Sequence, residues 1–200
     1  MDKITAIETV YKGYHYRSRL EARWAVFFDA LNIPYEYERE GYDLGDAGRY
    51  LPDFWLPEQR YWIEVKGQEP TQEERLKALR LAQMTGHRVC IFEGQIATPN
   101  EPDYPSGYAL TYHPFYKDIL HTGIGLIGAV GRWFECSACH KFFMASDTEL
   151  VYNIPGPQPT GCPYMPDEEA TGDPQSKRLI AAYTAARSAR FEHGEKGRTV

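Results

Sequence analysis

A surplus of positive charge is missing from this chain. Its 22 Lys and Arg are outnumbered by 28 Asp and Glu, a formal net charge of −6. Strong nucleic-acid binders usually carry a basic balance, so any polyanion should be a transient substrate rather than a tightly held ligand. Long apolar runs are missing too, and no stretch could span a membrane. The opening Met1-Asp2-Lys3-Ile4-Thr5 lacks the basic start and apolar middle of a signal peptide, so a cytoplasmic setting is expected. No internal repeat is evident. Aromatics, by contrast, are abundant, with 15 Tyr, 9 Phe and 4 Trp. Apolar and charged fractions are ordinary for a globular protein. A chain of 200 residues suits one domain with an appendage, or two small domains.

The chemistry concentrates in one run. Leu51-Pro52-Asp53-Phe54-Trp55-Leu56 and Tyr61-Trp62-Ile63-Glu64-Val65-Lys66-Gly67 read as two short apolar strands, each carrying an acid. Side chains alternate along a strand, so Glu64 and Lys66 share one face and Ile63 and Val65 the other. If the strands pair, Asp53 meets Glu64. Carboxylates sharing a buried site repel unless a cation compensates, and hard oxygen ligands suit magnesium or manganese. A cross-strand ion pair on a solvated face would also explain the three residues. The flanking Leu51, Phe54, Trp55, Leu56, Trp62, Ile63 and Val65 favour burial instead, where charges need partners or a metal.

Pro52-Asp53 and Glu64-Val65-Lys66, in the order strand, turn, strand, Gly67, helix, strand, resemble the PD-(D/E)XK nuclease superfamily over roughly the first half of the chain. The resemblance implies a restriction-endonuclease-like α/β core, a mixed β-sheet flanked by helices, that hydrolyses DNA phosphodiester bonds with Mg2+ or Mn2+. It implies that Asp53, Glu64 and the Val65 carbonyl hold the metal and that Lys66 positions the attacking water. Such nucleases often carry an acid on the first core helix, and Ser18-Arg19-Leu20-Glu21-Ala22-Arg23-Trp24 looks like that segment. The resemblance thus implies that Glu21 is a catalytic-site acid that helps hold the metal or its water shell; the competing reading is the capping-box acid of Ser18. Arg19 and Arg23 could meet phosphate, or could simply be surface charge.

Along the chain, Tyr11 to Tyr16 reads as one strand and Ser18 to Leu31 as a helix burying Leu20, Trp24, Phe27, Phe28 and Leu31. Tyr35 to Glu38 alternates like a strand. Thr71 with Glu74 opens a second helix whose buried face is expected at Leu76, Leu79 and Ala82; Gly86 closes it. Val89 to Phe92 follows as a buried strand, completing a βαβ unit. Tyr108 to Tyr112 reads as a further strand. Gly123, Gly125 and Gly128 form a Gly-x-Gly-x-x-Gly without the context of a nucleotide site. A terminal helix is expected from Ser176 to Phe191, with an apolar stripe of Leu179, Ile180, Tyr183 and Ala186.

Cys90 reads as an inert strand residue. Cys136-Ser137-Ala138-Cys139 is a CxxC knuckle, and Cys162 follows in Gly161-Cys162-Pro163. This looks like a zinc ribbon whose second knuckle has Met165 in place of a cysteine. A Cys3His structural zinc would draw on Cys136, Cys139, Cys162 and His140, with His121 or His113 as other fourth ligands. Cys139-His140 also completes a haem-attachment pattern, which a cytoplasmic chain argues against.

The expected organisation is a nuclease-like core over 1–95, a connecting segment over 96–130, a zinc-ribbon-like region over 131–166 and a C-terminal helix over 176–191. The expected function is a Mg-dependent deoxyribonuclease, an endonuclease in preference to an exonuclease. DNA is the expected partner, RNA a second, and a homodimer or larger DNA-processing complex the expected assembly. The alternative is a non-catalytic nucleic-acid-binding module or a structural subunit of such a complex. Repair, recombination, restriction, and a phage or mobile element all fit as settings.

Overall fold

The computed structural model describes residues 6–97, 109–112, 129–146 and 172–191. Twelve strands and three α-helices are described there: β1 (Thr9–Tyr11), β2 (Tyr14–Tyr16), α1 (Arg19–Ala30), β3 (Glu36–Tyr37), β4 (Tyr42–Asp43), β5 (Arg49–Tyr50), β6 (Phe54–Leu56), β7 (Tyr61–Lys66), α2 (Gln72–Thr85), β8 (Arg88–Glu93), β9 (Ala109–Tyr112), β10 (Ala129–Cys136), β11 (Phe142–Ser146), β12 (Gly172–Asp173) and α3 (Lys177–Ser188). No described helix is long and apolar enough to cross a membrane.

The main sheet runs β11-β10-β9-β8-β7-β6-β3, with β12 paired to β10. β7 and β8 are parallel, joined by α2; the other described pairs are antiparallel. Strand alternation sorts the core into two layers. Phe54, Leu56, Tyr61, Ile63, Val65, Cys90 and Phe92 face α1 and α3. Trp55, Trp62, Val89 and Ile91 face α2. Cys90 is fully buried, as a core residue should be.

Helix boundaries follow their caps. Ser18 accepts from the Glu21 N–H and opens α1; Asn32, at φ 53°, turns the chain out of it. Thr71 and Glu74 form a complete capping box on α2, and Gly86 closes it at φ 69°. Three sequence expectations need correcting. Tyr11 to Tyr16 is a hairpin rather than one strand, because Lys12 and Gly13 both take positive φ (47° and 85°), the requirement of a tight two-residue turn. Leu76 is 38% exposed. The buried stripe of α2 is Ala78, Leu79, Leu81 and Ala82, whose small residues let the helix lie close to the sheet. On α3, Ala182 rather than Ile180 completes the buried stripe.

Of the region expected as a ribbon-like appendage, residues 131–146 are described, and they extend the main sheet. β9, from the expected connecting segment, lies between β8 and β10. Trp133, Phe142 and Met144 pack into the α1-side layer, with the Trp133 ring 5.9 Å from Phe27. Strand alternation, not the cysteine spacing, decides how these aromatics pack. Helix α3 closes the same layer: the Tyr183 ring lies 4.6 Å from Phe27 and 6.4 Å from Trp24.

Candidate active site

The β6–β7 register pairs Phe54 with Ile63, so one step further Asp53 stands opposite Glu64. Both are buried, at 3% and 4% exposure. Their positions place them on the face that Trp55 and Trp62 occupy. Asp53 Oδ2 accepts the Val65 N–H at 2.7 Å, and Oδ1 accepts the Arg17 Nη2 at 2.8 Å. Glu64 Oε1 lies 2.7 Å from Lys66 Nζ. Glu64 Oε2 is buried and finds no hydrogen bond of good geometry among the described residues. The buried Tyr50 hydroxyl lies near enough for each group to perturb the other.

Burial dominates the electrostatics. It pushes the Asp53 carboxyl well up, with Glu64 and Glu21 adding to the shift and Val65 N–H and Arg17 opposing it. Burial also raises Glu64, against the pull of Lys66. For Lys66, burial works against the charge, but Glu64 and Glu74 outweigh it and raise its pKa. Glu74 Oε1 lies 3.0 Å from Lys66 Nζ while Oε2 caps α2 through Thr71. Burial and the nearby Glu64 and Asp53 keep Tyr50 protonated.

Glu21 is also buried, at 6% exposure. Its Oε1 accepts from Ser18 Oγ at 2.7 Å. Its Oε2 accepts from Tyr37 Oη at 2.6 Å and from the Arg17 N–H at 3.1 Å. The reciprocal arm of the box thus falls on Arg17 rather than on the Ser18 backbone. Arg17 joins the two acids: its backbone binds Glu21 and its guanidinium binds Asp53 and, at 2.6 Å, Glu38.

Asp53, Glu64 and Lys66 therefore come together, with Glu21 one residue's reach away. Val65 contributes its N–H to Asp53. Arg19 and Arg23 are half-buried on α1, and Arg23 reaches Gln95 at 3.3 Å; neither contacts the site acids among the described residues. Sequence reading missed Arg17, Tyr37, Tyr50 and Glu74 as site residues. Only Arg17 and Glu74 carried a signal, being the residue before one cap and the acid of the other.

Among the described residues, no three His, Cys, Asp or Glu side chains stand ready to hold a metal. Arg17, Lys66 and the Val65 N–H engage three of the four carboxylate oxygens of Asp53 and Glu64. The donor set still fits a hard divalent cation, with two buried neighbouring carboxylates and an orphaned oxygen at Glu64.

At the other end of the sheet, Cys136 to Lys141 forms a tight turn. His140 N–H donates to Cys136 O at 2.9 Å, and Cys136 N–H to Lys141 O at 2.9 Å. Cys136 is buried and Cys139 half-buried. His140, at φ 56°, places Nδ1 3.3 Å from Glu135, which also binds Arg178. Cys162, His113 and His121 lie outside the described residues, as do Gly123, Gly125 and Gly128.

Comparison with protein-family models, with curated proteins and with solved structures finds no match to this chain.

Proposed function

We propose that this chain is a divalent-metal-dependent nuclease that hydrolyses DNA phosphodiester bonds, on a restriction-endonuclease-like core. One observation carries the reading: Asp53 and Glu64 are buried side by side, with Lys66 on the same strand face and one Glu64 oxygen unsatisfied. Buried carboxylates without full compensation are costly, and functional sites are where such arrangements persist. Asp53, Glu64 and the Val65 carbonyl would hold Mg2+ or Mn2+. When bound, the ion neutralises phosphate charge and acidifies a water.

The chain's own residues do the rest. Lys66 stays protonated, because Glu64 and Glu74 outweigh its burial. In that form it would orient the attacking water and stabilise developing negative charge. Tyr50 is a protonated donor beside Glu64. Glu21 holds the Arg17 backbone and Tyr37 in place. The Cys136–Cys139 turn, with Cys162, would hold a structural zinc; metal analysis of the full chain against Cys136→Ser should give one zinc fewer in the variant.

The test is nicking of supercoiled plasmid with Mg2+, with EDTA and Glu64→Gln as controls. Nicking by the parent alone, and only with metal, is expected. A second reading, a non-catalytic nucleic-acid-binding module, is favoured by the ion pairs that already neutralise Asp53 and Glu64. Binding of DNA without metal-dependent cleavage would establish it and end the nuclease reading.

A further inference from the structure

Asp53 has two oxygens and both are engaged. Oδ2 is tied to the buried Val65 N–H at 2.7 Å, which the sheet holds in place. Oδ1 is held by Arg17, whose side chain is 53% exposed. Oδ1, the oxygen without a backbone partner, is the one best placed to join an ion shared with Glu64, and Arg17 occupies it. Two cations on one carboxylate oxygen repel. The guanidinium has somewhere to go, since its Nε already lies 2.6 Å from Glu38, a half-buried residue on the solvent side. Its backbone stays pinned by Glu21 and Tyr37, so only the side chain needs to move.

We propose that Arg17 is a resident counter-ion that the divalent metal displaces from Asp53, and that the freed guanidinium then engages the phosphate of the substrate. This rests on the nuclease reading of the site. A guanidinium suits the second task because its planar fork matches phosphate oxygens. The arrangement makes metal and substrate bind cooperatively: each draws Arg17 off Asp53, so each helps the other.

The test begins without DNA and without turnover. Calorimetric titration of the full chain with Mn2+ should give binding that Glu64→Gln abolishes. Arg17→Gln, at an exposed side chain, should bind Mn2+ about tenfold more tightly, the range of an ordinary coupling. Glu38→Gln should act oppositely, since the guanidinium then rests on Asp53 alone and competes harder. With Ca2+ in place of the active metal, Arg17→Gln should bind a short DNA duplex more weakly than the parent. The proposal is overturned if Arg17→Gln binds Mn2+ no more tightly, which would make Arg17 a mere support for Asp53, or if its DNA affinity is unchanged. Absence of Glu64-dependent Mn2+ binding in the parent would instead overturn the nuclease reading itself, and the proposal with it.

Discussion

Asp53 and Glu64 carry their charge against their surroundings. Burial raises both carboxyls above their ordinary values of 3.8 and 4.5. The folded state then binds more protons than the unfolded chain across the window between the two values. The stability this contributes is fully present below the ordinary value and is lost as pH rises through the raised one. Glu64→Gln removes one of these titrations, while Lys66 keeps Glu74 as a partner. The melting temperature of Glu64→Gln in EDTA is therefore expected to gain on the parent as pH climbs upward from about 4.5. Thermal melts across a pH series check this, and a gap that closes with rising pH contradicts it. Glu21 makes a different claim. Three donors converge on it, and a glutamine keeps one acceptor oxygen. Glu21→Gln should cost about 1–3 kcal/mol, the range for leaving buried donors unmet. It should also slow cleavage in a way that excess Mg2+ does not restore, because both oxygens serve the protein. Rescue by Mg2+ would make Glu21 a metal ligand instead.

At the scale of elements, the legible features were those carried by a few adjacent residues in their usual conformations. Asp53, Glu64 and Lys66 were legible because alternation along β6 and β7 is a property of adjacent residues. The α2 boundaries were legible because Thr71, Glu74 and Gly86 act within a few positions. Arg17 was not, since its role depends on the start of α1 facing a residue 36 positions away. The Lys12–Gly13 turn was missed because lysine seldom takes positive φ, so a tyrosine-rich run looked continuous. The small strand β12 offers a test of close packing. A Cβ on Gly172 would lie 2.8 Å from Phe134 Cβ and 2.9 Å from Phe143 Cζ. Phe134 Cβ is fixed to the backbone of β10 and cannot swing aside. Gly172→Ala should thus cost about 1–3 kcal/mol, as overpacking does, and denaturant unfolding would measure it. A neutral substitution would mean that β12 can lift off β10 freely.

At the scale of the whole molecule, the expected core over 1–95 shares its aromatic layer with later residues. Trp24, Phe27 and Phe28 of α1 pack against Trp133 and Tyr183, far along the chain. A chain ending at residue 95 would bare that aromatic face, and is expected to lose cooperative thermal unfolding. Circular dichroism melts would decide it; a sharp transition would restore the view of a separate core.

The pairing of α3 with α1 also orders events in time. A ribosome makes α1 before α3, with a delay on the order of ten seconds between them. Through that interval the helix that carries Glu21, and that Arg17 leads into, has no partner across its back. Asp53 and Glu64 can meet on their hairpin, and α1 can rest on the sheet through Phe28 and Phe54, before residues 177–188 arrive to cover its other side. A chain stopped before α3 is therefore expected to leave Trp24 and Phe27 without the Tyr183 ring they pack against.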